Sequence, residues 1–151
     1  DGGSGTIASD RRRGYRKAMH RHGLDEHLRI IAGDYTEEAG KRASQALLAG
    51  TRLPTAVVAA NDRCATGLLD GLNRAGVDVP GSVSVAGYDN SLLSQMAYVD
   101  LTTVSQAVPQ QAQHAVNAAV ERLEGVRTNA RNVVLTPKLI VRSTTGPVRR
   151  P

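Results

Sequence analysis

The chain has 151 residues, 40% hydrophobic and 22% charged, with a net charge of +5. That size and balance fit about one globular domain and exclude a low-complexity or disordered chain. Aromatics make up only 3%, with no Trp or Phe, so the core must be built from Ala, Val, Leu and Ile; the single cysteine, Cys64, excludes an internal disulfide, and no signal peptide or membrane-spanning apolar run is present.

Asp1 to Ser9 is rich in Gly and Ser and reads as a loop. Its GGSG run is not followed by Gly-Lys-Ser/Thr, so it does not make a P-loop. Asp10 is expected to cap a helix reaching Arg21, with Tyr15, Ala18, Met19 and His22 on one face and Gly23 as the stop. Arg11 falls in its first turn beside the loop, while Arg12 and Arg13 point elsewhere on the helix and Arg12 reads as solvated basic surface. Leu28 to Ala32 is the first predicted strand, and it delivers Asp34 and Tyr35. Thr36 then caps a helix with Glu37 and Glu38 in its first turn, where the helix dipole favours acids. Its apolar seam is Ala39, Ala43, Ala46 and Leu47, and Gly50 closes it.

The stretch Pro54 to Asn90 organises the rest. Ala56 to Ala60 is a short apolar run that reads as a buried strand. Asn61 or Asp62 can cap the helix that follows, in which Ala65, Leu68, Leu69, Leu72 and Ala75 recur at helical spacing. Gly76 ends that helix, and Val83 to Gly87 gives a second buried strand ending at Tyr88-Asp89-Asn90. A strand–helix–strand unit of this length makes the two strands parallel with a right-handed crossover. Asn61-Asp62 and Asp89-Asn90 therefore share the carboxyl edge of the sheet, where open α/β sheets bind ligands. Asp62 reads as a cap only, Asn61 and Asp89 as candidate site residues.

SLLSQMAYVD holds about one helical turn. Leu101 to Gln106 is a further strand. Pro109 opens a helix reaching Glu124, since proline suits a first helical turn, with a seam of Ala112, Ala115, Val116, Ala119, Val120 and Leu123. Val133, Leu135, Leu139 and Val141 alternate as a last strand, in which Pro137 marks an edge or a bulge. Residues 146–151 read as a disordered tail, and residues 1–145 as one lobe.

The series PTAVVAAND, VPGSVSVAGYDN and LTTVSQ resembles the effector-binding core of the lactose-repressor (LacI/GalR) family, from about Arg11 to Thr145. The resemblance implies an α/β fold: a doubly wound, mainly parallel sheet flanked by helices, forming a lobe like those of periplasmic binding proteins. In the family a central strand precedes the loop at residues 1–9. The chain is therefore expected to lack one strand of its sheet, and the 109–124 helix to belong to the other lobe. The resemblance further implies that Arg11, Tyr35, Asn61 and Asp89 converge on a small-molecule effector, a sugar first and a nucleobase or nucleoside next. There Arg11 offers a fork of donors, Asp89 accepts hydroxyls, Asn61 does both and Tyr35 stacks on a ring. Family dimer contacts map onto Asp70, Asn73, Leu93, Met96 and Tyr98, although core packing accounts equally for Leu93 and Met96. The chain is expected to form a homodimer or higher oligomer in the cytoplasm, without a cofactor, a metal or a membrane. Operator DNA would be met only through a head domain upstream, because this chain has no helix-turn-helix pattern and no basic stripe interleaved with aromatics.

Two rival readings follow. A periplasmic sugar-binding protein of related fold would carry an export signal in place of the head. A glycoside hydrolase would use Asp62 and Asp89 as paired carboxylates. Other catalytic sets are poorly supported. Cys64 has no histidine at a telling position, and His20, His22, His27 and His114 are scattered. No enzyme is expected.

Overall fold

Side-chain caps and glycine stops set the element ends. Thr36 Oγ1 accepts a hydrogen bond from the Ala39 N–H (3.2 Å), and Asn61 Oδ1 accepts one from the Cys64 N–H (2.8 Å), so each satisfies an orphan donor of a first turn. At the other end, Gly76 takes φ +72°. The Gly76 N–H donates to the Asn73 carbonyl (2.9 Å) and the Val77 N–H to that of Leu72 (3.0 Å), the paired closure that a left-handed glycine permits. A computed structural model describes residues 6–148. In chain order it contains α1 (Thr6–Arg21), α2 (Glu37–Leu48), β1 (Ala56–Val58), α3 (Asp62–Arg74), β2 (Ser84–Ala86), β3 (Thr103–Ser105), α4 (Val108–Leu123) and β4 (Lys138–Ile140). Short 3-10 turns lie at Asp25–His27 and Leu92–Gln95.

β1 and β2 pair in parallel, with Ala56 opposite Ser84 and Val58 opposite Ala86. Parallel bridges join Ala86 to Thr102 and Asp89 to Ser105, so the β2 segment continues onto β3. β4 closes the far edge antiparallel to β3. The fold is therefore α/β with a mainly parallel sheet, and α3 connects the parallel pair β1 and β2 as expected. The core is Leu47, Ala59, Ala65, Leu68, Leu72, Val83, Val85 and Leu101.

α2 and α3 meet through small residues. A Cβ on Gly67 would fall 1.9 Å from the Glu37 carbonyl oxygen, and one on Gly40 2.0 Å from that of Cys64. Gly71 lies equally tight against the Ser44 hydroxyl. The helices thus pack nearly backbone to backbone, which only residues without a side chain allow.

Several expectations need correction. α1 begins at Thr6, not at an Asp10 cap; Ala8 is buried and anchors the first turn. Residues 6–9 of the expected loop are helical, and residues 1–5 lie outside the described residues. Asp10 instead pairs with Arg13 (2.9 Å), and Arg11 falls in the second turn. Leu28 to Ala32 forms no ladder with any described strand, although Ile31 packs against the core. β1 is not a buried strand: Val57 faces the core, whereas Val58 is 69% exposed on a face that the described residues leave open. Ala46 and Ala75, both expected on apolar seams, are exposed. The last strand shrinks to Lys138–Ile140 and starts immediately after Pro137, which has no N–H for a ladder. Every seam residue of α4 is exposed. At the tail, the Gly146 N–H donates to Ser84 Oγ (3.2 Å), and residues 149–151 lie outside the described residues.

Candidate functional site

The carboxyl edge of β1 and β2 collects the charged and aromatic groups that the sequence singled out. Arg11 reaches this edge from α1. Its Nη1 donates to the Ala60 carbonyl, and its Nη2 lies 3.8 Å from Asp89 Oδ1. Its guanidinium carbon sits 4.3 Å from the centroid of the Tyr88 ring and 5.6 Å from that of Tyr35. Both rings offer their negative faces to the cation. Arg11 and Tyr35 are half-buried, so the fork is held in place but reachable.

Asp89 is the acceptor at the centre. Besides facing Arg11, its Oδ1 accepts a hydrogen bond from Gln106 Nε2 (2.7 Å). Burial raises its carboxyl pKa above the ordinary value. The Gln106 hydrogen bond and the Arg11 charge oppose that rise, and the Asp62 charge adds to it. Asp89 and its neighbour Asn90 take φ +121° and +55°, strained values for residues with side chains. The surroundings enforce this turn. The Asn90 N–H donates to Thr103 Oγ1 (3.3 Å), Arg142 Nη2 donates to Asn90 Oδ1 (2.7 Å), and the Ser91 N–H donates to Asp62 Oδ2 (2.7 Å).

Asp62 is therefore not the cap that its position suggested. Asn61 is the cap, and Asp62 is 1% exposed with its other oxygen taken by the Thr103 hydroxyl. Gly87 leaves the room: a Cβ there would lie 2.4 Å from Asp62 Oδ1. Asn61 also uses its amide nitrogen internally, donating to the Tyr35 carbonyl (3.1 Å). It thus ties the Tyr35 backbone to the start of α3, and both ends of its side chain have protein partners. Cys64 follows in that first turn, where a helix can acidify a thiol; burial instead raises its pKa.

Tyr88, Gln106 and Arg142 escaped sequence reasoning. Tyr88 adjoins Asp89 and Gln106 ends the LTTVSQ run, so both stood within motifs already noticed. Arg142 had no local signal. Of the residues assigned to a dimer surface, Asn73 and Tyr98 are exposed, and Tyr98 reaches 85%. Met96 is 38% exposed, and its Sδ accepts from the Tyr98 hydroxyl (2.9 Å). Leu93 is half-buried, as is Asp70, which pairs with Arg74 (2.9 Å). Leu92, 80% exposed, extends this patch. Away from the site, a cleft along α1 is lined by Arg12, Arg13, Arg16, Lys17 and His20 together with Ser9, Asp25 and Leu28.

The lobe places its polar cluster at the carboxyl edge of a parallel α/β sheet, the edge at which open α/β sheets bind ligands. Residues 3–145 match the periplasmic binding protein-like domain, and the chain belongs to that family. The HTH-type transcriptional regulator DegA of Bacillus subtilis (strain 168) is 35% identical over 148 residues, covering 97% of this chain and 43% of that protein. The crystal structure of a LacI transcriptional regulator from a Rhodococcus species is 45% identical, with a TM-score of 0.89, covering 98% of this chain and 55% of that one. A LacI family regulator from Enterococcus faecium, solved with bound ribose, is 25% identical with a TM-score of 0.81, covering 90% and 50%. The LacI-family resemblance read from the motifs is borne out. These relatives are named as transcriptional regulators, not as enzymes, and this chain spans about half of their length or less. No helix among the described residues is long and apolar enough to cross a membrane.

Proposed function

We propose that this chain supplies one wall of the effector pocket of a LacI-type transcriptional repressor, and that the effector is a sugar. The observation that carries the reading is the convergence of Arg11 and Asp89, 3.8 Å apart, beside the rings of Tyr35 and Tyr88. A donor fork next to an acceptor carboxylate matches adjacent sugar hydroxyls, and an aromatic face suits the apolar side of a sugar ring. The ribose bound by the Enterococcus relative supports the same class; a nucleobase or nucleoside is the next candidate. In the whole protein, a second lobe would close over the ligand and so shift the equilibrium between two states of a cytoplasmic homodimer, one of which binds operator DNA through an upstream head. The Asp70, Asn73, Leu93, Met96 and Tyr98 surface would serve that dimer.

The hydrolase reading needs two available carboxylates. Asp62 has both oxygens held by protein donors and is shut away from solvent, so it has no free oxygen for proton transfer to a substrate. The repressor reading is tested by thermal unfolding of this chain and of Asp89→Ala with ribose, other sugars, purines and pyrimidines. Ligand at 100-fold its Kd adds about 2.7 kcal/mol, a shift of several degrees for a domain of this size. The expected result is a shift with one sugar that disappears in Asp89→Ala. A shift that survives in Asp89→Ala, or one confined to nucleobases, overturns the sugar assignment at this site.

A further inference from the structure

We propose that the cleft along α1 is a second binding site of this chain, and that it takes a small anion carrying two or more linked phosphates. The proposal is independent of the effector reading, because Arg11, which reaches Asp89, does not line the cleft. Six of the chain's 19 Lys and Arg residues lie on α1, against one of its 14 Asp and Glu residues. That one helix therefore holds the entire net charge of +5, and the rest of the chain balances to neutrality. Of those cations, Arg12, Arg13, Arg16 and Lys17 line the cleft together with His20. The cleft has a volume of about 640 Å³, within the range of small-molecule sites.

Helix stability does not account for this placement. Arg12, Arg16 and His20 follow one another at four-residue spacing, and Arg13 and Lys17 form a second row beside them. Like charges at that spacing repel along a helix. A helix dipole favours cations in the last turn, which describes His20 and Arg21 but not Arg12, Arg13, Arg16 or Lys17. Nearby acids answer only part of the charge. Asp10 pairs with Arg13 (2.9 Å), and Asp25, which lines the cleft, pairs with His20 (3.1 Å). Arg16 and Lys17 are exposed, and among the described residues no carboxylate lies within ion-pair distance of either.

Phosphate chemistry supplies the counter-charge. A guanidinium binds phosphate through paired N–H donors, and an ammonium binds it as a point charge. The row from Arg12 to His20 spans roughly 12 Å at the helical rise, more than a single phosphate needs. The basic surface is only one helix wide, which suits a small oligophosphate rather than a duplex whose phosphates run along two strands. The Asp25–His20 pair closes one end. The anion therefore belongs at the end formed by Arg12, Arg16 and Lys17, with half-buried Leu28 as an apolar wall. Cations gathered in one cleft also concentrate a polyvalent anion from solution.

The test is isothermal titration of the chain with sodium tripolyphosphate and with ATP, without divalent cations. Ionic strength is held at about 0.15 M, where attraction between exposed charges is screened beyond about 8 Å. Saturable binding is expected for wild type and for Asp89→Ala alike. The double variant Arg16→Gln/Lys17→Gln should bind roughly tenfold more weakly or worse, since it removes charged donors to the anion. Both side chains are exposed, so the fold is retained, which unchanged thermal unfolding checks. Similar affinity for the two probes assigns the cleft to the phosphate chain itself, and binding of ATP alone assigns it to a nucleotide. Absence of saturable binding of either probe at millimolar concentration overturns the proposal. So does equal weakening by Lys41→Gln/Lys138→Gln, which removes the same charge elsewhere, because the attraction is then diffuse. Loss of binding in Asp89→Ala would place the anion at the effector site instead. A short DNA duplex that binds through Arg16 and Lys17, while neither probe does, would replace the small phosphate with nucleic acid.

Discussion

α3 and α4 are near equals as sequences and opposites as structures. Each carries apolar residues at helical period, each is at least three turns long, and each follows a strand at the same edge of the sheet. α3 seats Ala65, Leu68 and Leu72 at 1% exposure or less, whereas α4 leaves Val116 59%, Val120 43% and Leu123 87% exposed. The difference teaches that an amphipathic period specifies the need for a partner, not its identity. α3 finds that partner in α2 and the sheet within this lobe. Among the described residues α4 finds no such cover.

The comparison can be broken at four points. The largest effect is expected for Leu68→Ala, which empties a fully buried position under α3 and should lower unfolding free energy by about 2–5 kcal/mol in denaturant titration. A loss below about 1 kcal/mol would mean that α3 is no better packed than α4. Gly67→Ala comes next, because its new Cβ meets the Glu37 carbonyl oxygen and must push α2 away. A destabilisation of about 1–3 kcal/mol is expected, and a neutral result would show that the two helices stand farther apart than described. Asn61→Ala removes the α3 cap and the tie to Tyr35 together, for about 1–2 kcal/mol. Val120→Ser on α4 should stay within about 0.5 kcal/mol of wild type. A larger loss in the isolated chain would reveal that α4 is covered in solution, and a concentration-dependent loss would point to a second copy as the cover.

Asp89, near Asp62 of α3 and hydrogen-bonded to Gln106 just before α4, gives a smaller but signed effect. Its folded-state pKa is raised, chiefly by burial. Such a group favours folding fully below its unfolded pKa, and the advantage is lost as pH rises through the higher folded value. The stability of wild type relative to Asp89→Asn should therefore fall as pH climbs from about 3 through the acid range above 4, measured by denaturation at fixed ionic strength. A rise over that window would mean that Arg11 and Gln106 outweigh burial. A bound ligand that donates to Asp89 should move the same titration to lower pH.

Much of the candidate site was legible because it lay next to local signals. Asp89 follows an apolar strand, Asn61 precedes a helical period, and Tyr35 sits just before the capping Thr36; each can be placed on the carboxyl edge by counting along the chain. The roles were less legible than the positions. Asn61 and Asp62 are adjacent polar residues at a helix start, and nothing local decides which one caps and which is buried. The decision comes from Ser91, Thr103 and Gly87, which surround Asp62 from other elements. At Leu28 to Ala32, too, the apolar run alone did not decide the outcome, since it forms no ladder with a described strand although Ile31 packs against the core.

Periodicity, caps and glycine stops were sufficient to set the parallel crossover, the shared edge and the extent of α2 and α3. Those features depend on interactions within a few residues, and local chemistry is written in order along the chain. Which groups touch Asp89, how its strained turn is clamped by Arg142 from 52 residues beyond Asn90, and whether an apolar helix face is covered were decided only when distant segments met. A hydrogen bond across the fold requires two atoms to arrive at one place, and no periodicity in either segment encodes that meeting.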